Sequence, residues 1–107
     1  MELKQYQIIL VNLNPTLGTE MNKTRPCVIV SPDEINKYLK TIVIVPITCQ
    51  TKSYPTRFII TNKDIIGSMA FDQIRTIDKL RTIKIIGNLN TKDIINTKQL
   101  IREIFVD

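Results

Sequence analysis

The segment from Gly18 to Val30 carries the residues best suited to chemistry: one carboxylate, Glu20, followed by an arginine, Arg25. Arg25 directly precedes Pro26, and the residue before a proline is restricted to extended geometry, so we expect Arg25 at a fixed entrance to a β-strand. A guanidinium is a planar set of donors that matches phosphate oxygens, and a carboxylate can accept a proton from a hydroxyl. The pair suits phosphate chemistry, although an ordinary surface turn contains the same residues.

A hydroxyl side chain, Thr48, ends an apolar run just before a polar loop. If the strand that begins near Arg25 is next to the strand that ends at Thr48, these two side chains approach each other. Together with Glu20 they would suit cleavage of RNA by its own ribose 2′-hydroxyl. Glu20 would take the hydroxyl proton, Arg25 would stabilise the charge that develops on the phosphorane, and Thr48 would orient the phosphate. The spacing alone also fits a solvated Glu20 paired with Arg25, which is the commoner arrangement.

The composition excludes several kinds of catalytic site. The chain contains no histidine and only two cysteines, Cys27 and Cys49, without a paired-cysteine motif. Histidine-based catalysis is therefore excluded, and zinc held by cysteine would need about four such ligands. The three glycines are scattered, so there is no glycine-rich phosphate loop. We expect both cysteines to be small buried hydrophobic residues, and we expect neither a metal nor a cofactor.

Charge and length limit the class of protein. The net charge of +5 at pH 7 favours a polyanionic partner, although many small basic proteins bind none. A chain of 107 residues is expected to form one domain, residues 1–107. No apolar run approaches the roughly 18 residues of a membrane span, and the N-terminus lacks the build of a signal peptide. We therefore expect a cytoplasmic protein.

Short apolar runs separated by turn residues predict six β-strands. Pro46 interrupts the third run and predicts an edge or a bulge there. Ser31 is predicted to cap a short helix, with Pro32 at its first position and Glu34 completing a capping box. The predicted strands are Gln5–Leu13, Pro26–Val30, Thr41–Val45, Arg57–Thr61, Ser68–Ile77 and Ile83–Ile86, with Gly87 ending the last one.

One strong helix is predicted near the C-terminal end, opening at Asn90. Its apolar residues repeat at close to helical spacing and form one face. Several short strands with one terminal helix predict a mainly β fold, in which a small, strongly bent sheet or half-barrel is covered by that helix. The predicted apolar face consists of Ile94, Ile95, Leu100, Ile101, Ile104 and Phe105.

Several blocks of sequence follow one another in a recognisable order over nearly the whole chain. The most specific are the Arg25-Pro26 step and Asp72–Asp78, which reads Asp-Gln-Ile-Arg-Thr-Ile-Asp. The full set is Val11–Glu20, Thr24–Ser31, Val45–Thr48, Ser53–Pro55, Gly67–Asp78 and Ile86–Leu89. Together these blocks closely resemble the MazF/PemK-family toxins of bacterial type II toxin–antitoxin systems.

The resemblance implies a fold, an activity and partners. The implied fold is an SH3-like small β-barrel with a terminal helix, assembled as a homodimer. The implied activity is that of a metal-independent endoribonuclease, which cuts single-stranded mRNA at short motifs and leaves 2′,3′-cyclic phosphate and 5′-hydroxyl ends. A cognate antitoxin, expected to be an acidic and partly disordered segment, would inhibit it by covering the basic groove.

The resemblance also implies roles for individual residues. The family's active-site arginine falls on Arg25 and its threonine on Thr48, while the base falls on Glu20 in some members and on Asp72 in others. Some of the members that use the second acid also use an arginine two positions earlier. This chain has Ala70 there, so that variant of the mechanism cannot be carried over intact. The expected substrate-binding residues are Thr19, Asn22, Lys23, Lys52, Ser53, Tyr54 and Gln73. We expect the group Gln73, Arg75 and Asp78 to be structural and to hold the long strand to its neighbours through hydrogen bonds.

Two other functions fit a barrel of this kind. A gyrase poison of the CcdB type would share the fold, but the chain ends Ile104-Phe-Val-Asp107 and lacks the Trp-Gly-Ile tail of those toxins. A non-catalytic RNA-binding barrel would bind RNA in a salt-dependent manner without cutting it.

Overall fold

Antiparallel β-strands make up most of the structure, a computed structural model that describes residues 2–15, 18, 23–49, 57–60 and 65–106. Two helices and two single 3-10 turns accompany the strands of the described chain. The elements are β1 (Gln7–Asn12), β2 (Thr24–Ile29), α1 (Asp33–Tyr38), β3 (Thr41–Thr48), β4 (Arg57–Ile59), β5 (Ser68–Ala70), a 3-10 turn (Phe71–Gln73), β6 (Arg75–Asp78), a second 3-10 turn (Lys79–Arg81), β7 (Thr82–Asn88) and α2 (Thr91–Phe105).

The strands form one sheet in the order β4-β5-β3-β2-β1-β7, with β6 also paired to β3. Because successive side chains of a strand point to opposite faces, the buried residues divide into two cores. The first core lies beneath α2 and contains Ile8, Val28, Val45, Ile47, Met69 and Phe71; the second contains Ile9, Val11, Cys27, Ile29, Ile42 and Ile44. The predicted bent β-sheet covered by a terminal helix is confirmed.

The terminal helix begins as predicted. The side chain of Asn90 accepts a hydrogen bond of 2.8 Å from the backbone N–H of Asp93, which satisfies one of the free donors of the first turn. Four of the predicted apolar residues pack on the first core, namely Ile94, Leu100, Ile101 and Ile104. The other two predictions, Ile95 and Phe105, were wrong, since both side chains are more than half exposed.

No helix in the described ranges is long and apolar enough to cross a membrane.

The third strand runs unbroken through Pro46, so the predicted edge or bulge was wrong. The carbonyl of Val43 accepts a hydrogen bond from Val30, which shows that odd-numbered residues of β3 bond toward β2. Pro46 therefore directs its nitrogen to the opposite side. There the partner of β3 changes from β6, which ends its pairing at Ile44, to β5, which begins at Ile47. The missing N–H falls where no ladder hydrogen bond is required.

The long strand predicted from Ser68 to Ile77 is broken in the middle. A 3-10 turn at Phe71–Gln73 separates β5 from β6, and both strands pair with β3. Phe71 is 1% exposed and its ring lies 5.9 Å from that of Phe58, centroid to centroid. Met69 and Phe71 both pack into the first core, so the chain leaves β5 at this turn while the aromatic side chain stays buried.

The capping box predicted at Ser31 was wrong. Helix α1 begins at Asp33, its cap position is Pro32, and no side chain caps it. The hydroxyl of Ser31 donates to Asn36 instead, and accepts from the backbone N–H of Val43 at 3.0 Å. The Ser31 hydroxyl is therefore bonded to the buried side chain of Asn36 and does not cap the helix.

Two smaller predictions were also wrong. Gly87 lies inside β7, paired with Ile8, rather than ending the strand. Cys27 is buried as predicted, but Cys49 is exposed.

Gly67 is expected to be intolerant of any side chain because it lies against the end of β3. A Cβ atom placed there would come within 2.9 Å of Ile47 Cγ2 and closer still to the carbonyl oxygen of Thr48. We expect Gly67→Ala to lower the free energy of unfolding by about 1–3 kcal/mol, the usual cost of overpacking. Gly87→Ala is the matched control, since its Cβ would meet no atom within 4 Å. Equal urea midpoints for the two variants would contradict this.

The two cysteines are expected to differ in reactivity. Burial raises the pKa of the Cys27 thiol to about 12, from an ordinary value of 9.0. In native protein at pH 8 a disulfide reagent should therefore modify Cys49 and leave Cys27 intact until unfolding.

Because the unfolded Cys27 thiol releases its proton at lower pH than the folded one, the free energy of unfolding should fall as pH rises above about 9. A Cys27→Ala variant with an undiminished alkaline slope would contradict the second expectation.

Candidate active site

The register of the sheet brings Arg25 and Thr48 together. Strands β2 and β3 are antiparallel neighbours, and Cys27 is paired with Pro46. Continuing that register by two residues places Arg25 opposite Thr48, at a Cα separation of about 5 Å. The expectation that these two strands are neighbours is confirmed. On its other side Thr48 is paired with Ser68 of β5, a residue that is 0% exposed.

The backbone of Arg25 is fixed and its side chain is partly buried. Pro26 follows it within β2, and the thiol of Cys27 donates a hydrogen bond of 3.6 Å to its carbonyl. The Nε atom of Arg25 is buried and has no acceptor among the described residues. An unpaired buried donor costs about 1–3 kcal/mol, so a ligand that brings an oxygen to this atom recovers that free energy.

A second guanidinium lies on the same part of the sheet. Arg75 and Arg25 both act on the thiol of Cys27, where their positive charges oppose the rise in pKa caused by burial. Arg75 is paired with Ile44 of β3, next to the segment that Cys27 contacts. This region therefore concentrates positive charge around an uncharged thiol, as an anion-binding surface requires.

The second candidate base, Asp72, is held in an ion pair. Arg57 Nε donates to one carboxylate oxygen at 2.9 Å and Nη2 to the other at 2.8 Å. Arg57 also lies directly opposite Ala70 in the β4–β5 pair. The guanidinium of Arg57 therefore comes from the strand next to Ala70. Protonation of Asp72 would weaken a charge-assisted, two-point interaction.

The remaining predicted site residues fall into two groups, those that the structure describes and those that it does not. Lys23 is exposed and lies two residues before Arg25, and Gln73 is half-buried in the 3-10 turn beside Asp72. Asp78 accepts a hydrogen bond of 2.8 Å from Leu80 N–H, which is a structural role. Six predicted site residues lie outside the described residues: Thr19, Glu20, Asn22, Lys52, Ser53 and Tyr54.

Arg57, Ser68 and Arg75 reach the candidate site without having been selected from the sequence. Arg75 lies in the Asp72–Asp78 block, so the sequence did contain a signal that could have identified it. The others depend on the register between short strands, for which the sequence carries no local signal. In the described part of the chain no group of three or more His, Cys, Asp or Glu side chains could hold a metal ion.

Known proteins share the sequence and the fold of this chain. Endoribonuclease toxin MazF of Escherichia coli strain K12 is 33% identical over 70 residues, which cover 65% of this chain and 63% of the relative. Endoribonuclease PemK of Escherichia coli is 34% identical over 82 residues, covering 72% of this chain and 62% of the relative. The matches therefore span less than two thirds of the length of these relatives.

Solved structures extend the likeness to the whole fold. MazF (form I) from Deinococcus radiodurans superposes with a TM-score of 0.87 at 18% identity, covering 97% of this chain and 96% of that one. A mycobacterial endoribonuclease in complex with its cognate antitoxin has a TM-score of 0.81 at 19% identity, covering 94% and 92%. These structures show the same open, barrel-like β-fold.

A family model described as PemK-like, MazF-like toxin of type II toxin–antitoxin system matches residues 4–105. The match takes in every described strand and both helices, and it includes Arg25 and Thr48. The chain therefore belongs to the family of PemK-like, MazF-like toxins of type II toxin–antitoxin systems.

Proposed function

We propose that this chain is a single-domain endoribonuclease toxin that cleaves single-stranded mRNA in the cytoplasm. The proposal is carried by the β2–β3 register, whose continuation by two residues puts Arg25 opposite Thr48, and by the buried Nε of Arg25, which finds no acceptor among the described residues. Membership of the toxin family and the endoribonuclease names of the relatives support it.

The proposed reaction is transfer of the phosphodiester to the neighbouring 2′-hydroxyl. The 2′-oxygen attacks phosphorus and gives up its proton to a base, and the bond from phosphorus to the 5′-oxygen breaks. The products are a 2′,3′-cyclic phosphate and a 5′-hydroxyl, which takes up a proton. Arg25 stabilises the negative charge of the phosphorane, and Thr48 orients the phosphate by a hydrogen bond.

Glu20 is the better candidate for the base. Asp72 already places both carboxylate oxygens on Arg57, and accepting a proton would cost part of that interaction. We assign Asp72 and Gln73 to substrate positioning, together with Lys23. The same role is proposed for Thr19, Asn22, Lys52, Ser53 and Tyr54.

A second copy of the chain and an antitoxin are the proposed protein partners. Edge strand β7 exposes Ile83, Ile85 and Ile86 by 50%, 39% and 41%, and an uncovered apolar edge favours pairing with another chain. The net charge of +5 suits an acidic antitoxin segment that competes with RNA for the surface around Arg25 and Arg75.

Cleavage of a mixed-sequence RNA in EDTA tests the proposed function. The wild-type chain should cut, because no step above uses a metal. Arg25→Ala should lower the single-turnover rate about 100- to 1,000-fold, the usual effect of losing a donor to a developing oxyanion. Thr48→Val should also lose rate and Thr48→Ser should retain most of it. Glu20→Gln should lose more than Asp72→Asn.

Arg102→Ala is the matched control for charge, since Arg102 is exposed on α2 and lies outside the proposed site. It should cleave at the wild-type rate. Cleavage that stops on chelation, or that survives in Arg25→Ala, would contradict the mechanism. Gyrase inhibition without cleavage would favour the CcdB-type function, and salt-dependent RNA binding without new ends would favour a non-catalytic barrel.

Light scattering tests the proposed homodimer. The wild-type chain, 12.3 kDa as a monomer, should have twice that mass at micromolar concentration. Ile83→Glu places a charge on the exposed edge strand and should shift the protein toward monomer. Ile66→Glu changes a side chain that is 83% exposed outside β7, and should leave the mass unchanged. A monomeric wild type would overturn the proposed assembly.

A further inference from the structure

Arg81 lies outside the residues assigned to the reaction, and its side chain reaches the end of the neighbouring strand β1. Its Nη1 atom donates hydrogen bonds to the backbone carbonyls of Asn12, at 3.2 Å, and Asn14. These carbonyls lie 69 and 67 positions earlier in the chain. Strand β1 ends at these carbonyls, so one guanidinium nitrogen satisfies two backbone acceptors there.

Two further hydrogen bonds tie the same point to the start of β2, and a third lies within the end of β1. Leu13 N–H donates to the carbonyl of Lys23 at 3.0 Å, and Lys23 N–H donates to the side-chain oxygen of Asn14 at 2.9 Å. Asn14 N–H donates to the side chain of Asn12 at 3.0 Å. We call these bonds, with those of Arg81, the clasp. It closes the neck between the end of β1 and the beginning of β2.

The clasp sets the direction in which the chain enters β2. Lys23 has φ of 65°, a left-handed conformation that is uncommon for residues other than glycine and persists only where the surroundings impose it. Arg25 follows two residues later. Loss of the clasp would leave Lys23 free to relax toward a right-handed or extended conformation, at the open end of the ladder in which Arg25 is paired with Val11.

An irregular register brings Arg81 to this place. The pairing of β1 with β7 shifts between Leu10 and Val11, and Val11 is paired with Thr82, the residue after Arg81. Such bulges redirect neighbouring side chains. Here the shift brings Arg81 within hydrogen-bond distance of the carbonyls of Asn12 and Asn14.

We propose that Arg81 is a positioning residue for Arg25, which it holds in place through Asn14 and Lys23. The inference rests on the proposed endoribonuclease function for its catalytic consequence, whereas the clasp itself does not depend on that function. Arg81 touches no reacting atom in this account. Its loss therefore acts on the geometry of the transition state, so kcat falls while KM is little changed.

Three variants test the proposal. Arg81→Met keeps the aliphatic stem and removes every donor, Arg81→Lys keeps the charge and can donate to a carbonyl, and Arg102→Met is the matched control on α2. Two measurements are made on each purified chain: kcat and KM for RNA cleavage, and amide hydrogen exchange at Leu13 and Lys23.

Arg81→Met should lower kcat by up to about 100-fold with KM near the wild-type value. Exchange at Leu13 and Lys23 should become about tenfold faster, the equivalent of losing one or two ordinary hydrogen bonds. Arg81→Lys should restore part of both, and Arg102→Met should match the wild type. If Arg81→Met were only less stable, exchange would become faster throughout the sheet. Arg81→Lys would then not selectively slow exchange at Leu13 and Lys23.

Unchanged exchange at Leu13 and Lys23 in Arg81→Met would overturn the clasp. Faster exchange with an unchanged kcat would overturn the positioning role. If the wild-type chain cuts no RNA, the proposed function fails and the catalytic role of Arg81 fails with it, while the exchange data still decide whether Arg81 closes the neck.

Discussion

The register between β2 and β3 is the constraint on which the candidate site depends. A slip of one residue would turn Arg25 to the opposite face of the sheet and move it away from Thr48. The two cores prevent such a slip, because it would expose the buried side chains of both strands. Gly67 adds a local requirement, since its backbone packs so closely against the carbonyl of Thr48 that no side chain fits between them.

Charge and burial act together at this register. Arg25 carries a buried donor without a described acceptor, and Arg75 adds a second cation near the same buried thiol. Burial raises the pKa of the Cys27 thiol and keeps it uncharged, so it neutralises neither cation. Donors held in a partly desolvated place before substrate arrives need little reorganisation when negative charge develops, which is the basis of electrostatic catalysis.

Local sequence rules predicted the parts of the site that depend on neighbouring residues in the chain. The proline after Arg25 indicated a strand entrance, and the apolar run before Thr48 indicated a strand end. The cap at Asn90 marked the start of the terminal helix. The rules failed where tertiary contacts decide: the ion pair of Asp72 depends on the register of two three-residue strands, and Pro46 is accommodated by a change of strand partner that no local pattern shows.

The central claim is that Arg25 and Thr48 act as one unit on the scissile phosphate. The most direct test is a double-mutant cycle on kcat/KM with Arg25→Lys, Thr48→Val and the combined variant. Residues that serve one function lose most of it when either is removed, so the combined variant should be little slower than Arg25→Lys alone. Losses that multiply would show that the two residues act independently, and would contradict the account.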